Sequence, residues 1–467
     1  MAEGRHAFAS HEVGTRLQVL AQLHATSWTS STIYGRRSSR PTSLPNLRNW
    51  RWWRAASAAA SPPWCPQQRY GQTVAGDGAR ARGQYRALLM PPVPTIHLVY
   101  PHGDTIACPH AIGVRLAERL RTHHPVRLYD LTYPRPICPA PGDILIGHPD
   151  PAAWSVFQRS LAHPGWARRI GIAPFAHGDY RKSAFLHRII PSCDLFLAIT
   201  GTYWFESIAT SAFAHCQAKL VHLDLAVEPR DFPFIKTTFN PPGRRRLVYI
   251  GHDDYYKNLP YLERIAALMP EVEIAWIGST HSRFPHLRAL GRHDFRAAAS
   301  RDLLSGFDFL ITVGSSDPNP TTILEAMSWG LIPLCSPQSG YHRESGVINL
   351  PLGDAAVAAG IVRAMLHRPE YELRAIQKHN LARLAAHYHW DRFAAVVRAA
   401  VDSPASPRLP PAAWRNRLLL WKEELASPVA YWRYHHLRRA LRRRLFARAP
   451  VHNCAQDDAC AHRLLPH

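Results

Sequence analysis

The sequence has no long apolar run. None of its 467 residues belongs to an uninterrupted stretch of about 18 apolar residues, the length that a membrane-spanning helix needs. The amino-terminal region also lacks an apolar segment followed by a small-residue cleavage site, so we expect no secretory signal. Hydrophobic residues make up 46% of the chain, which is enough for a sizeable core. We therefore expect a globular, cytoplasmic protein of two to three domains.

Cysteine spacings typical of metal or redox sites are also missing. The eight cysteines are scattered, and no two of them form a C-x-x-C motif. We expect free or buried thiols in a reducing compartment, rather than a disulfide framework or a zinc site.

Acidic residues are scarce at both ends of the chain. Residues 1–89 contain 12 Arg, no Lys and three acidic residues, and residues 404–467 contain 12 Lys or Arg and four acidic residues. These two ends account for most of the net charge of +22, so the segment between them is nearly neutral. A nearly neutral core with basic ends is not typical of a protein that binds nucleic acid, and we expect no nucleic-acid partner.

Residues 1–89 show no sustained helical or strand periodicity, apart from a weak helical stretch near 12–24. A strand-like segment follows Met90 at once. One interpretation, which we favour, is that translation starts at Met90 and that residues 1–89 are a mis-assigned start. The other is a disordered basic extension that touches anionic lipid through its Arg and Trp residues.

From Thr95 onward, short apolar strands alternate with helical segments, the first of them around 109–122 and near 151–162. The predicted strands cover 96–100, 126–131, 143–148, 169–175, 195–200 and 219–225 in the first half, and 246–251, 273–279, 287–290, 309–313, 331–335 and 346–351 in the second. Such runs between helices predict parallel sheets covered on both faces. We expect two doubly wound, Rossmann-like α/β domains at 90–240 and 241–403, followed by a basic amphipathic tail at 404–467.

The segment 317–336, DPNPTTILEAMSWGLIPLCS, carries the most chemistry. Asp317 follows an apolar strand, and Glu325 lies eight positions later in a predicted helix that Gly330 ends. Unpaired backbone N–H groups at the start of a helix favour anions. Carboxylates on either side of that point can accept hydrogen bonds from hydroxyl groups that flank a phosphate. This layout suits a sugar nucleotide.

The same segment resembles the acid-x7-acid signature of the retaining glycosyltransferases of family 4, usually written EGFGLPLLEAMACGxPVI. Glu325-Ala326-Met327, Gly330 and the apolar run with Pro333 match it, and Asp317 takes the place of the first Glu. Pro318-Asn319-Pro320 replaces Gly-Phe-Gly. Because proline has no N–H group, this loop offers fewer backbone donors to a phosphate.

A second match lies upstream, at the correct distance and in the correct order. Residues 246–270 resemble the opening of the nucleotide-binding domain of the same family, with Gly251, Lys257 and Asn258 at the family spacing. The resemblance implies that Lys257 neutralises the donor diphosphate. His252 stands where the family has Arg, and a neutral imidazole donates one hydrogen bond where a guanidinium offers a charged fork.

The resemblance implies the GT-B architecture, with two Rossmann-like domains facing across a cleft. It implies a hexosyltransferase that moves a sugar from a nucleoside-diphosphate sugar to a saccharide or lipid-linked saccharide, with retention, in cell-surface polysaccharide or glycoconjugate synthesis. The donor-binding residues would be Gly251, His252, Lys257, Asn319, Thr321, Thr322 and Glu325. Asp317 would bind sugar hydroxyls and Glu325 the donor ribose. No DxD motif stands at a matching strand end, so we expect neither a metal nor another cofactor.

In the first half, His177 lies at the end of the strand segment, just after 169–175, where the resemblance places a histidine that faces the reacting sugar or the diphosphate. We predict it as a catalytic residue, together with Asp317 and Lys257. His148, at the end of the previous strand, is the rival candidate. Gly103 and Asp104 match the loop that approaches the acceptor.

The tail 414–448 mixes Trp, Tyr and Leu with Arg at roughly helical spacing. The resemblance implies that it packs on the first domain. The other hypothesis is a basic helix at 437–446 that lies on an anionic membrane, which would make the protein peripheral on the inner face.

Two alternatives to the enzyme stay open. One is a non-catalytic GT-B-like protein that binds sugar nucleotides, suggested by His252 and the two prolines, and the other is a nucleic-acid-binding protein, supported only by the charged ends.

Overall fold

The computed structural model describes residues 93–151, 155–278 and 283–427. The two interpretations of residues 1–89 and the basic helix at 437–446 lie outside the described residues. Within the described ranges, no helix is long and apolar enough to cross a membrane.

The first half of the chain forms a six-stranded parallel sheet in the order β2-β1-β3-β4-β5-β6. Its strands are β1 Ile96–Val99, β2 Val126–Tyr129, β3 Ile144–Gly147, β4 Arg168–Pro174, β5 Leu195–Ile199 and β6 Leu220–Leu223. Every residue of β1, β3 and β5 is buried, as a sheet covered on both faces requires. In register, Ile96 lies opposite Val126 on one side and Ile144 on the other.

A second parallel sheet follows, in the order β12-β11-β10-β7-β8-β9. Its strands are β7 Leu247–Ile250, β8 Ile274–Ile277, β9 Leu287–Gly291, β10 Phe309–Thr312, β11 Ile332–Cys335 and β12 Ile348–Asn349. The connection from β6 to β7 runs through 224–246 and includes the predicted domain boundary at 240/241. Within the described residues, all twelve predicted strands are present and the prediction of two doubly wound α/β sheets is confirmed.

Helices cover both sheets. They are α1 His110–Leu120, α2 Val156–Ser160, α3 Tyr180–Ser183, α4 Leu186–Ile189, α5 Gly201–Glu206, α6 Leu259–Ala267, α7 Ala298–Ser305, α8 Thr321–Trp329, α9 Ala355–His367, α10 Glu370–His387, α11 Trp390–Asp402 and α12 Trp414–Ala426. Short 3-10 helices span Ile190–Ser192, Ile208–Thr210, Ala214–Lys219, Tyr255–Lys257 and Pro337–Ser339. Helix α2 is shorter than predicted, because the Ser155 side chain caps it by accepting a hydrogen bond from the N–H of Phe157.

The last two described helices return to the first sheet. Helix α11 packs against α1 and β4, and α12 packs against α3. Leu420 of α12 is fully buried in the core of the first half, and Arg188 donates to the Glu424 carboxylate at 2.8 Å. The predicted packing of the tail on the first domain is therefore confirmed as far as residue 427.

Residues beyond the carboxyl ends of the strands join the two halves. The indole N–H of Trp204 donates to the carbonyl of Gln338 at 2.7 Å, and the N–H of Leu225 donates to Asn319 Oδ1 at 2.7 Å. The two sheets thus meet with their carboxyl ends facing each other. Ligands of open α/β sheets bind at that edge.

Candidate functional site

The strand order of the second sheet creates a crevice between β7 and β10. From β7 the chain proceeds outward to β8 and β9, then returns to β10 on the opposite side of β7. The loops that follow β7 and β10 therefore diverge at a topological switch point, where ligands bind in folds of this kind. A hydrogen bond from the N–H of Ser315 to the carbonyl of Tyr256, at 2.9 Å, joins these two loops.

Lys257 and Asp317 meet at this crevice. The Lys257 ammonium lies 2.6 Å from Asp317 Oδ2, and the two side chains are 13% and 10% exposed. Lys257 ends a 3-10 turn, and Asn258 after it adopts a left-handed backbone with φ of 58°. The sequence assigned Lys257 to the diphosphate of the donor and Asp317 to its sugar, and the structure pairs the two residues directly. Each of these two charged groups can bind a ligand only after a group of the ligand has replaced the other as its partner.

Glu325 lies one turn into α8, beside this pair. Its residue surface is 8% exposed, and burial raises the pKa of its carboxyl to about 7, against the opposing effects of a hydrogen bond with Thr321 and of the Lys257 charge. Glu325 therefore changes charge near neutral pH. The N–H groups of Thr321 and Thr322 have no acceptor within the helix, so they are available to an anion at its start.

The Pro318–Pro320 loop before α8 makes most of its contacts within the protein. Asn319 has a φ of 51°, its N–H donates to the carbonyl of Ser339 at 3.1 Å, and its Oδ1 holds Leu225 of the other half. The predicted donor-binding side chain thus ties the two halves together. Within the described residues, Asn319 Nδ2 and Ser316 Oγ are buried and have no hydrogen-bond partner. Such orphaned polar atoms are uncommon, and ligand sites are one of the places where they occur.

Gly251 and His252 follow β7. The φ of Gly251 is 152°, and a Cβ there would lie 2.8 Å from the Tyr249 hydroxyl, so only glycine fits. His252 is exposed, and its Nε2 lies 2.6 Å from Asp254 Oδ2 and 3.2 Å from the Tyr256 hydroxyl. Its hydrogen-bonding capacity is therefore directed at its own loop.

The predicted histidines of the first half are directed inward. His177 Nε2 lies 3.1 Å from the carbonyl of Trp204 and 2.9 Å from Ser207 Oγ, and burial lowers its pKa. No hydrogen bond of the described residues joins it to Lys257 or Asp317. His148 Nδ1 lies 3.1 Å from the carbonyl of Ile172, which holds that ring against the sheet.

The predicted acceptor loop reaches towards the second half. Gly103 and Asp104 are both exposed, and the Asp104 carboxylate lies 3.5 Å from the Arg296 guanidinium. Farther along the same loop, Cys108 joins Thr321 and Glu325 in lining a small cavity of about 20 Å³. Residues of both halves line this cavity, so Thr321 and Glu325 of α8 face the first half of the chain.

The sequence did not identify Lys182 or Tyr256 as site residues. The Lys182 ammonium lies 3.5 Å from the centroid of the Tyr256 ring, although the two residues belong to different halves. The available signals were local: Lys182 follows the end of β4 by eight residues, and Tyr256 directly precedes Lys257. Neither signal predicts a contact across the cleft.

Among the described residues, no group of three or more His, Cys, Asp or Glu side chains has the arrangement of a metal site.

Comparison with known proteins finds similarity in fold only. No family model matches the sequence, and no curated protein matches it. Among solved structures, sucrose-phosphate synthase from Thermosynechococcus elongatus is 13% identical, with a TM-score of 0.50 over 66% of this chain and 98% of that chain. An apo structure of OtsA is 10% identical with a TM-score of 0.49 (66% and 99% covered), and the lipopolysaccharide outer core galactosyltransferase WaaB is 14% identical with a TM-score of 0.44 (66% and 99% covered). These neighbours are glycosyltransferases of the GT-B architecture, and this chain has the GT-B fold.

Proposed function

We propose that the chain is a glycosyltransferase that moves a hexosyl group from a nucleoside-diphosphate sugar to a hydroxyl group of a saccharide or lipid-linked saccharide. The observation that carries the proposal is the Lys257–Asp317 pair, at 2.6 Å, at the switch point of the second sheet and beside the helix that carries Glu325. An ammonium, free helix N–H groups and two carboxylates suit a ligand that combines phosphates with hydroxyls.

The proposed reaction replaces one C–O bond by another. The bond from the anomeric carbon to the diphosphate oxygen breaks, and its electron pair leaves with the diphosphate. A new bond forms from the same carbon to the acceptor oxygen, whose proton passes to the departing phosphate oxygen. Lys257 and the start of α8 stabilise the negative charge that develops on the leaving group. Since these groups supply positive charge, we propose that transfer requires no metal ion.

The remaining site residues have proposed roles on either side of the diphosphate. Glu325 would accept hydrogen bonds from the donor ribose, and Asp317 from the sugar, once Lys257 turns to the phosphates. His177 would shape the sugar side through its contacts with α5. Gly103 and Asp104 would face the acceptor. Following the resemblance in the sequence, we propose retention of the anomeric configuration and a place in polysaccharide or glycoconjugate synthesis at a membrane surface.

The decisive experiment mixes the full chain with a panel of UDP-, GDP- and ADP-sugars. A donor that binds only the native state raises the unfolding temperature, and transfer or slow hydrolysis releases the nucleoside diphosphate. Lys257→Met should abolish release, whereas Lys378→Met, at an exposed lysine of α10, should not. Stabilisation without release would favour the non-catalytic alternative. A chain that binds none of the donors would overturn the proposal, and salt-sensitive retention on DNA after removal of 1–89 and 404–467 would favour the nucleic-acid alternative.

A further inference from the structure

Lys182 is a cation without an anionic partner in the cleft. It lies on α3, just after β4 of the first sheet, and its side chain is partly buried. No carboxylate of the described residues forms an ion pair with it, and its ammonium lies over the Tyr256 ring, 3.5 Å from the centroid. Burial lowers the pKa of Lys182, and the neighbouring Lys257 charge lowers it further, although Asp317 acts in the opposite direction.

Two lysines from opposite halves share the Tyr256 ring. The Lys257 ammonium lies 5.5 Å from the same centroid. Asp317, at 2.6 Å from Lys257, supplies one negative charge close to two positive ones. Asp179 and Asp254 also favour the charged form of Lys182, but they pair with Arg181 and His252, so the Lys182 ammonium faces an aromatic ring in place of an anionic partner. An ammonium over an aromatic face is stabilised less than an ammonium that is paired with an anion in the same surroundings.

A second contact fixes Lys182 in this place. Arg181, its neighbour on α3, stacks on Tyr255 with the guanidinium carbon 4.7 Å from the ring centroid. Consecutive residues of the first half thus pack on consecutive residues of the second. This pairing brings Lys182 to the loop that carries Lys257 whenever the halves are together.

We propose that Lys182 and Lys257 bind the diphosphate of the donor jointly, Lys182 reaching across from the first half of the chain. This inference rests on the proposed function and adds a residue to its donor site. A diphosphate carries enough negative charge to pair with both ammonium groups, which a single carboxylate such as Asp317 does not. Lys182 also supplies an ammonium group that faces the cleft, whereas His252 is held by Asp254 at 2.6 Å.

The arrangement makes the contact of Lys182 with the diphosphate depend on closure of the cleft. Lys257 and the start of α8 belong to the second half and can meet a phosphate at any separation of the halves. Lys182 can do so only when α3 lies against the Tyr255–Lys257 turn. Binding of the diphosphate through both lysines therefore stabilises the closed arrangement, in which the acceptor side also reaches the sugar.

The test compares Lys182→Met with Lys378→Met, a lysine-to-methionine control at an exposed position of α10. Calorimetry would measure binding of UDP, GDP and ADP, and of uridine, guanosine and adenosine, to each full chain. For the diphosphate that the parent chain binds, we expect Lys182→Met to weaken affinity roughly tenfold to a hundredfold, the worth of a charge-assisted hydrogen bond. Affinity for the matching nucleoside should stay within about twofold, and Lys182→Arg should recover most of the loss.

The outcomes separate this inference from the proposed function. If the parent binds a nucleoside diphosphate and Lys182→Met binds it equally well, Lys182 has no part in the site while the proposed function stands. An equal loss of diphosphate and nucleoside affinity, not recovered by Lys182→Arg, would show that the lysine only supports the packing of α3. A parent chain that binds no nucleoside diphosphate would overturn both.

Discussion

Glu325 lies one turn into α8 with a pKa of about 7, so its charge changes between pH 6 and 8. Ribose hydroxyls donate hydrogen bonds, and the ionised carboxylate accepts them best. We therefore predict that affinity for the donor nucleotide rises as pH increases from about 6 to about 8. In Glu325→Gln the affinity should be weaker and nearly independent of pH. Calorimetric titrations of both chains across this range provide the measurement, and parallel pH profiles would contradict the assignment.

The raised pKa of the Glu325 carboxyl also affects the stability of the fold. Stability should fall as pH rises, whereas donor affinity should increase. Its folded pKa is raised above the usual value, so its contribution to folding is fully present below the unfolded pKa and is lost as pH rises through about 7. Relative to Glu325→Gln, the ligand-free parent should therefore unfold at progressively lower temperature between pH 5 and pH 8. Thermal unfolding of both chains at matched ionic strength measures this difference, and a constant gap between the two would contradict the raised pKa.

Asp317 forms an ion pair with Lys257, so substitution of Asp317 also changes what Lys257 can bind. In Asp317→Ala, the Lys257 ammonium loses its carboxylate at 2.6 Å and becomes freely available to phosphates. We predict that affinity for the nucleoside diphosphate is unchanged or higher, while kcat falls by about tenfold or more because hydrogen bonds to the sugar are lost. Binding of the diphosphate and turnover are measured separately. A large loss of diphosphate affinity would indicate that Asp317 orients Lys257 rather than holding the sugar.

At the scale of elements, a buried ion pair anchors the connection between the sheets. Lys236 and Asp308 are 2% and 0% exposed and lie 2.9 Å apart, and Asp308 also accepts a hydrogen bond from the N–H of Arg246. Lys236→Met would leave a carboxylate buried without its cation, which typically costs about 3–5 kcal/mol. We predict a clear fall in the denaturant midpoint, measured against Lys378→Met as the exposed control. A shift no larger than that of the control would contradict this role.

The elements follow closely from local sequence, and the site does so only in part. Helix α8 was predictable because good helix formers lie between Pro320 and Gly330, and Gly330 adopts the left-handed φ of 89° that ends a helix. Lys257 and Glu325 were identifiable because motif spacing fixes them within one sheet. Lys182 was not, since its contact with Tyr256 depends on how two separately folded sheets meet. The orientation of His177 towards Trp204 could not be derived from its place after β4 either, because it depends on how α5 packs within the first half.

At the scale of the whole molecule, the halves touch closely at two glycines, Gly201 and Gly340. Gly201 has a φ of 66°, and a Cβ there would lie 2.6 Å from the carbonyl oxygen of Gly340. We predict that Gly201→Ala separates the halves, raises the radius of gyration in small-angle scattering and lowers kcat. Gly142→Ala is the matched control, because its φ of 93° imposes similar backbone strain while its Cβ would meet nothing within 4 Å. If the two substitutions had equal effects, the fall in kcat would be due to backbone strain and not to separation of the halves.

The outer face of α12 carries an exposed apolar stripe. Trp414, Leu418, Trp421 and Leu425 are 64%, 55%, 44% and 57% exposed at helical spacing, while the opposite face packs through Leu420. Arg415, Arg417 and Lys422 are exposed beside the stripe, and the segment 437–446 adds further arginines. Aromatic and aliphatic side chains flanked by cations suit the interface of an anionic bilayer.

We therefore predict that the full chain binds liposomes that contain anionic lipid and does not bind neutral ones. Each Lys or Arg near such a surface contributes about 1 kcal/mol, which salt screens, so binding should fall between about 0.1 M and 0.5 M salt. Co-sedimentation would compare the parent with a variant whose four stripe residues are Ser and with one whose arginines at 438, 439, 442, 443 and 444 are Gln. Substitution of exposed Val357 and Tyr371 by Ser, on α9 and α10, is the control. Both test variants should lose most of the binding and the control should keep it. Salt-independent binding would exclude the electrostatic contribution of the arginines, and no binding would exclude the membrane as the partner of this face. Self-association that the stripe variant abolishes would identify a second copy of the chain as what covers it.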